Sequence, residues 1–336
     1  MLPRPQLRRT IGIAALACAL LAGLTAPGAT ASPAVAHIER IVSEGPTQSA
    51  AYVYSAAMHK TVKVQILTPA SHTTVPTTSP RPTLYMLSGL GEEDPTNSIW
   101  LRKTDIVKFF AGKNVNVVLP LAGNGSFYTD WRSDDPVLGR YRWETFLTEE
   151  LPPLLDERFG GNGSRAIAGL SMGAGSALVL AARHPRFYRA VASYSGCYSA
   201  TDLTGQVSTR AIVKVFGGDA TNMWGPIGDP RWAAHDVIRH AAGLRGTDLY
   251  ISVGSGLPGR YDAPGYPGND NPADRTVVGG AIEVGSLACT RRLQSALAAQ
   301  HIPADFRFVS PGTHSWPYWV DQLHSSWPVI SRALSR

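Results

Sequence analysis

A serine between two glycines is the residue of this chain best suited to chemistry. Ser171 is the centre of a Gly-x-Ser-x-Gly segment, residues 169–173, which follows the apolar run 166–168. This pattern between a strand and a helix is typical of a nucleophile elbow, where small neighbours allow a turn tight enough to expose the hydroxyl. Residues 174–183 have the apolar spacing of the expected helix. We therefore predict a nucleophilic Ser171; the alternative is a glycine-rich turn with an incidental serine.

A serine nucleophile needs a base within hydrogen-bond reach, and the base needs a carboxylate to orient it. In hydrolases with this elbow, the acid and then the histidine follow the serine along the chain. His314 comes directly after the last predicted strand, residues 306–309. The sequence therefore predicts His314 as the base, whereas His184 and His324 lie on helical runs away from that position.

The acid is less well defined by the residues alone. The candidates lie between the predicted strand 249–253 and the last strand, and Asp262 is nearest to the strand end. Position therefore slightly favours Asp262, although any of these carboxylates could be an ordinary solvated group. The four candidates are Asp262, Asp270, Asp274 and Glu283.

Acyl chemistry at a serine also requires two backbone N–H groups that face the developing negative charge. One belongs to the residue after the nucleophile, Met172. The other is expected from a loop that follows an earlier strand. Residues 88–91 follow the predicted strand 84–87, and we predict Leu90 as the second donor.

Strands that alternate with helices predict the α/β class, with a mostly parallel central sheet covered by helices on both faces. The continuous apolar character of the strands agrees with this prediction. Active sites of such sheets lie beyond the carboxyl ends of the strands, where Ser171 falls. The predicted strands are 61–67, 84–87, 115–121, 166–170, 190–194, 249–253 and 306–309, and the predicted helices are 105–112, 142–159, 174–183, 286–300 and 319–333.

The first residues resemble a signal peptide. Arg8 and Arg9 precede an apolar run, residues 11–24, and a small-x-small cleavage site ends at Ala31. We predict that residues 1–31 are removed and that 32–336 form a single exported domain. Removal lowers the formal net charge from +6 to +3. No basic run with interleaved aromatic residues occurs, so a nucleic-acid partner is not expected.

Two cysteines remain after the predicted cleavage, Cys197 and Cys289. An exported protein meets an oxidising environment, so a disulfide between them is one expectation and two buried free thiols are the other. No motif has the spacing of a zinc site. We expect neither a metal nor a cofactor, and we expect a monomer.

Several ordered segments resemble the antigen 85 mycolyltransferases and related secreted esterases of mycolic-acid-containing actinobacteria. The resemblance extends over about residues 85–328. It implies an α/β-hydrolase fold and a ping-pong acyl transfer, in which the serine takes a mycolyl group from a trehalose ester and passes it to a second trehalose. The segments that carry it are 126–131, 143–152, 169–173, 222–226 and 312–319.

The resemblance changes the assignment of the acid. The glutamate of the family lies just before a helix, well after the strand, and Glu283 matches that place. The resemblance therefore implies a triad of Ser171, Glu283 and His314, with Asp262 as the second candidate. It also implies that Trp316, beside the histidine, borders the sugar site.

The chain departs from the family in the predicted oxyanion loop. Ser88 and Gly91 stand where the family carries an aspartate and an arginine that hold trehalose. Ser88 is then the expected substrate contact, and the acidic residues 92–94 could replace the missing charges.

Three functions follow as hypotheses. The first is a secreted serine acyltransferase or esterase that acts on long-chain, mycolyl-type esters at the cell envelope, with a glycolipid substrate and a sugar acceptor. The second is a general secreted carboxylesterase for shorter acyl esters. The third is a hydrolase-like protein without activity that binds carbohydrate or host matrix; the intact serine, acid and histidine argue against it.

Overall fold

A nine-stranded sheet forms the centre of the molecule in the computed structural model, which describes residues 35–70, 80–91, 94–266 and 271–336. The predicted signal peptide, residues 1–31, lies outside the described residues. Among the residues described, no helix is both long and apolar enough to span a membrane.

The sheet is mixed, with an antiparallel end and a parallel body. Its strands occur in the order β1-β2-β3-β5-β4-β6-β7-β8-β9. The first three strands and β5 pair antiparallel, and every pair from β5 across to β9 is parallel. The strands are β1 His37–Gly45, β2 Gln48–Ser55, β3 Lys60–Leu67, β4 Arg81–Leu87, β5 Asn116–Pro120, β6 Gly161–Leu170, β7 Ala190–Tyr194, β8 Asp248–Gly254 and β9 Asp305–Val309.

Helices cover both faces of this sheet, which confirms the predicted α/β-hydrolase class. They are α1 Ile99–Lys103, α2 Ile106–Phe110, α3 Trp143–Thr145, α4 Leu151–Phe159, α5 Met172–Arg183, α6 Leu203–Val215, α7 Ala220–Trp224, α8 Pro230–Ala234, α9 Gly279–Ala299 and α10 Trp316–Leu334. Short π-helical turns, Phe146–Glu150 and Asp274–Val278, lead directly into α4 and α9.

The apolar core is divided into two layers by the sheet. The helices α4, α5 and α9 bury Leu151, Leu178 and Leu293 against one face. The helices α1 and α10 bury Trp100 and Leu323 against the other. Because both faces are covered, the central strands are apolar throughout, as parallel strands of this class are.

The structure also contains elements that the sequence patterns did not predict. The hairpin of β1 and β2 is antiparallel and β1 is largely exposed, so its apolar signal is weak. Helix α9 begins at Gly279 rather than at residue 286. The expectation that Glu283 precedes a helix is therefore wrong, since Glu283 lies inside α9. Two glycines at its start, which disfavour a helix, explain the difference.

Candidate active site

The serine turn has the strained geometry of a nucleophile elbow. Ser171 connects β6 to α5 and has a φ of +52°, a conformation that non-glycine residues adopt at a cost. Glycine is required on both sides. A side chain at Gly169 would approach the carbonyl oxygen of Gly173 to 2.3 Å, and one at Gly173 would approach the carbonyl oxygen of Ser88 to the same distance.

The three residues predicted as a triad lie in hydrogen-bonded contact. Nε2 of His314 is 3.0 Å from Oγ of Ser171, and its Nδ1 is 2.6 Å from Oε2 of Glu283. With its proton on Nδ1, the imidazole donates to the carboxylate and presents a lone pair to the serine hydroxyl. This arrangement can remove a proton from Ser171 and stabilise the resulting imidazolium.

Glu283 is 1% exposed and its second oxygen is also occupied. Oε1 accepts a hydrogen bond of 2.6 Å from the hydroxyl of Ser195 and another from the backbone N–H of Gly254. These donors come from the carboxyl ends of two neighbouring strands, β7 and β8. A buried carboxylate with partners on both oxygens has a fixed orientation toward the histidine.

Asp262, the second candidate for the acid, is buried on the other side of the histidine loop. Its Oδ1 accepts from the Thr313 hydroxyl at 2.7 Å. Its Oδ2 accepts from Gly259 N at 2.8 Å and from the Tyr318 hydroxyl at 2.7 Å. Burial and this carboxylate together raise the pKa of Tyr318. Asp262 therefore contacts the neighbour of His314 and not the imidazole.

Of the two remaining candidates for the acid, the structure describes only Asp274. Asp274 is exposed on the turn before α9, and Asp270 lies outside the described residues. Glu92 and Glu93, considered as replacements for the charges of the family, also lie outside them. Asp94 is partly exposed and accepts hydrogen bonds from Thr96.

The predicted oxyanion loop lies directly against the elbow. A side chain at Gly89 would come within 3.3 Å of the Ser171 Cβ and within 2.6 Å of the Leu170 side chain. Leu90 follows at the mouth of the site and is 43% exposed, whereas Met172 is buried. The loop is thus close enough to the serine for its backbone to face a bound ester.

Ser88 and Trp316, the predicted substrate contacts, differ in their surroundings. Ser88 is 1% exposed, and its backbone N–H donates to the hydroxyl of Tyr128 at 3.1 Å. Trp316 begins α10 and packs edge-on against Trp100 and Trp319, with ring centroids 5.3 Å apart in both pairs. Trp316 lines a cavity beside the serine, and Ser88 lines neither of the two cavities described next.

Two largely apolar cavities meet at Ser171 and His314. We call the first, of about 280 Å³, the disulfide-side cavity. We call the second, of about 600 Å³, the tryptophan-side cavity. Apolar walls of the first include Phe127, Met172, Val179, Trp224 and Cys289, and those of the second include Leu90, Ile99, Val215, Phe216 and Trp319.

A side chain could not be added to the oxyanion loop at residue 91 without rearrangement. The Cβ of any residue there would lie 2.6 Å from Oδ1 of Asn124 and 2.8 Å from the ring of Phe216. The position at which the antigen 85 family is expected to carry an arginine is therefore closely packed in this chain.

A disulfide joins Cys197 to Cys289, which are 92 residues apart in the sequence. Of the two expectations, a disulfide or two free thiols, the structure shows the disulfide. Cys197 lies just after β7 and Cys289 lies on α9, the helix that carries Glu283. Both sulfur-bearing residues line the disulfide-side cavity. The bond therefore fixes one wall of that cavity to the helix of the acid.

A second buried carboxylate with histidine partners was missed by the sequence patterns. Oε1 of Glu144 accepts from His184 at 2.7 Å and from Arg183 at 2.8 Å. Burial alone would raise the pKa of Glu144, but hydrogen bonds from His184, His235 and Arg183 hold it well below the usual range. The hydroxyl of Thr129 lies 2.9 Å from Nε2 of His235, and both residues are buried, so these side chains satisfy one another's hydrogen bonds in the interior.

No group of histidine, cysteine, aspartate or glutamate side chains suited to a metal ion occurs in the described part of the chain. His324, set aside on sequence grounds, bonds to Asp105 at the surface and stacks on Phe109.

Comparisons with known proteins identify relatives over most of this chain. The sequence model of the Esterase family, described as "Putative esterase", matches residues 55–328. The diacylglycerol acyltransferase/mycolyltransferase Ag85B of Mycobacterium leprae is 33% identical over 293 residues, which cover 84% of this chain and 83% of the relative. Ag85A of Mycobacterium bovis BCG is 31% identical over 337 residues, or 97% of this chain and 92% of the relative.

Solved structures show the same fold. Mycobacterium tuberculosis MPT51 superposes with a TM-score of 0.68 at 27% identity, over 84% of this chain and 97% of its own. An S-formylglutathione hydrolase from Agrobacterium tumefaciens gives a TM-score of 0.61 at 17% identity, over 89% of this chain and 99% of its own. At 17% identity, the similarity to the S-formylglutathione hydrolase concerns the fold alone.

Proposed function

Because the chain belongs to the Esterase family and is an Ag85-type acyltransferase or ester hydrolase, we propose that Ser171 forms an acyl-enzyme with long-chain acyl esters. The observation that carries this proposal is the hydrogen-bonded series Ser171–His314–Glu283 where two apolar cavities meet.

The acylation step follows from the positions of the three side chains. Nε2 of His314 accepts the hydroxyl proton as Oγ of Ser171 attacks the ester carbonyl carbon. The backbone N–H groups of Leu90 and Met172 stabilise the negative charge that develops on the carbonyl oxygen. When the intermediate collapses, the imidazolium gives its proton to the leaving alcohol, and the acyl group remains on Ser171.

The second step repeats the first with a new hydroxyl. His314 removes a proton from the acceptor, which attacks the acyl-enzyme and releases Ser171. A sugar or lipid hydroxyl gives transfer, and water gives hydrolysis. The acceptor must be held in line while water is excluded, so the walls of the site determine the balance between the two.

The apolar cavities support long-chain acyl groups as substrates. A water occupies about 30 Å³ of liquid and a methylene is of similar size, so the 280 Å³ cavity has room for about nine chain atoms. The 600 Å³ cavity has room for about twice that number. A long-chain acyl ester therefore fills this arrangement better than a short acyl ester does.

The finer parts of the proposal concern place and acceptor. The signal-like residues 1–31 support export to the cell envelope. The relatives are named diacylglycerol acyltransferase/mycolyltransferase, which supports transfer of a mycolyl group. The resemblance to the antigen 85 family implies trehalose as the acceptor. A monomer would suffice, since Ser171, His314 and Glu283 all belong to one chain.

A serine-reactive phosphonate probe tests the proposal most directly. We expect labelling of the wild type and none of Ser171→Ala or His314→Ala. Absence of labelling of the wild type would support the inactive, binding protein instead. Incubation with trehalose monomycolate then separates the enzymes: trehalose dimycolate indicates transfer, free acid alone indicates an esterase, and turnover confined to acetyl or butyryl nitrophenyl esters indicates a short-chain carboxylesterase.

A further inference from the structure

Four side chains, including the proposed catalytic base His314, contact one another in a ring. Nδ1 of His314 is 2.6 Å from Glu283, and the Ser195 hydroxyl donates to the other oxygen of Glu283 at 2.6 Å. The indole N–H of Trp319 donates to Oγ of Ser195 at 3.0 Å. The indole also packs edge-on against the imidazole, with centroids 4.8 Å apart and planes at 90°.

We propose that Ser195 is a positioning residue for the catalytic reaction, because its hydroxyl couples the acid to the indole that packs on the base. The inference rests on the proposed function of the triad. The hydroxyl donates to Glu283 and accepts from Trp319 at the same time, so the orientation of each partner depends on the other. Removing it leaves Glu283 Oε1 with the Gly254 N–H and takes away the acceptor of the indole.

The backbone at Ser195 supports a specific role. Ser195 has a φ of +56°, in the left-handed region that costs a non-glycine residue stability. Its peptide is fixed on both sides, since its N–H donates to the carbonyl of Ser252 at 2.8 Å and its carbonyl accepts from Ser286 at 3.3 Å. Glycine would relieve the strain here, but it would lack the hydroxyl.

This conformation provides a test that separates positioning from folding. Ser195→Ala and Ser195→Gly both remove the hydroxyl, and only glycine relieves the strained φ. We expect both variants to lose about tenfold in kcat on a soluble nitrophenyl ester, the effect of one hydrogen bond to a charged group. KM should stay within about twofold of wild type in both variants. Ser195→Gly should unfold at a higher temperature than Ser195→Ala, because only glycine relieves the strain.

Ser252→Ala is the matched control. Ser252 is a buried serine on the adjacent strand β8, and its hydroxyl has no hydrogen-bond partner among the described residues. We expect it to keep the wild-type kcat. Wild-type activity in Ser195→Gly, or activity that follows the melting temperature across the two Ser195 variants, would overturn the inference.

A double-mutant cycle tests the coupling itself. Trp319→Phe keeps an aromatic ring against His314 and removes the N–H that donates to Ser195. If the hydroxyl couples the two partners, the loss of kcat in Ser195→Gly/Trp319→Phe will be smaller than the product of the single losses. Independent, multiplicative losses would contradict the coupling.

A proton NMR measurement keeps this inference separate from the proposed function. The His314 Nδ1 proton, held by Glu283, should give a low-field signal that is lost or shifted in Ser195→Gly and unchanged in Ser252→Ala. A phosphonate-inert wild type would contradict the enzyme proposal, whereas an unchanged signal in Ser195→Gly would contradict the role of Ser195.

Discussion

Glu283 and Asp262 are two buried carboxylates that hold the same loop from opposite sides. Glu283, on α9, gives one oxygen to the imidazole of His314 and the other to Ser195 and Gly254. Asp262 gives both oxygens to Thr313, Gly259 and Tyr318. Burial is similar, at 1% and 3% exposure. The hydrogen-bond partners of the two carboxylates, and not their degree of burial, therefore distinguish the proposed catalytic acid from a carboxylate that holds the loop.

Among the changes that test this comparison, replacing Glu283 by glutamine should cause the largest loss of activity. The amide would present a donor or a weaker acceptor to His314 and would favour the wrong tautomer of the imidazole. We expect Glu283→Gln to lower kcat by about 10⁴-fold, as in other triads, with circular dichroism and thermal unfolding close to wild type. A loss below about tenfold would exclude Glu283 as the acid.

Removal of the disulfide should destabilise the attachment of α9, the helix that carries Glu283. The bond joins α9 to the end of β7 across 92 residues. A cross-link that closes a loop of that size stabilises the folded state by about 4.6 kcal/mol in the chain-entropy description. We expect Cys197→Ser/Cys289→Ser to lose stability of that order in urea unfolding. Below the unfolding transition, the folded variant should retain most of its activity. Wild-type stability in the double variant would show that the bond adds no constraint.

Asp262→Asn should have a smaller effect than either change. The asparagine oxygen can still accept from Gly259 and Tyr318, and its amide can donate to the hydroxyl of Thr313. We expect a loss of about 1 kcal/mol in stability and a kcat within about fivefold of wild type. If Asp262→Asn proves more damaging to kcat than Glu283→Gln, the two roles must be exchanged.

Glu144 extends the comparison to a third carboxylate, which accepts hydrogen bonds from His184 and Arg183 rather than from His314. Its pKa in the folded protein is below its ordinary value of 4.5, so its ionised form adds stability that is present above that value and lost as the pH falls through the folded pKa. We expect Glu144→Gln to lower the melting temperature by a few degrees at pH 7. The difference from wild type should shrink as the pH falls below 4.5, with little change in kcat.

The sequence predicted the parallel half of the sheet well. Strands β7 and β8 and the second half of β6 are buried and continuous in their apolar character, so the apolar runs and turn residues located them. Strand β9 is only partly buried, and its two phenylalanines and Val309 located it. The largely exposed strand β1 and the helices α6 to α8 were missed, because their apolar residues are few or lie on the surface. Leu203 and Val207 of α6 are 80% and 58% exposed, which hides a helical stripe from pattern analysis.

The candidate site could be predicted where chain order constrains it. Ser171 and His314 follow the ends of strands, and a short local pattern was enough to select them. The residues alone favoured Asp262 over Glu283, because distance along the chain does not show which carboxylate turns toward an imidazole. Ser195 gave no signal, since a serine after a strand is common and its role depends on two partners that are distant in sequence.

The disulfide has a consequence for limited proteolysis. Ser171 precedes Cys197 and His314 follows Cys289, so the segment between the cysteines, which contains Glu283, separates the serine from the histidine along the chain. A single cut in that segment yields fragments that remain covalently joined. Such a nicked protein would migrate as one species without reductant and as two with it, and the serine and histidine would stay in the same molecule after cleavage.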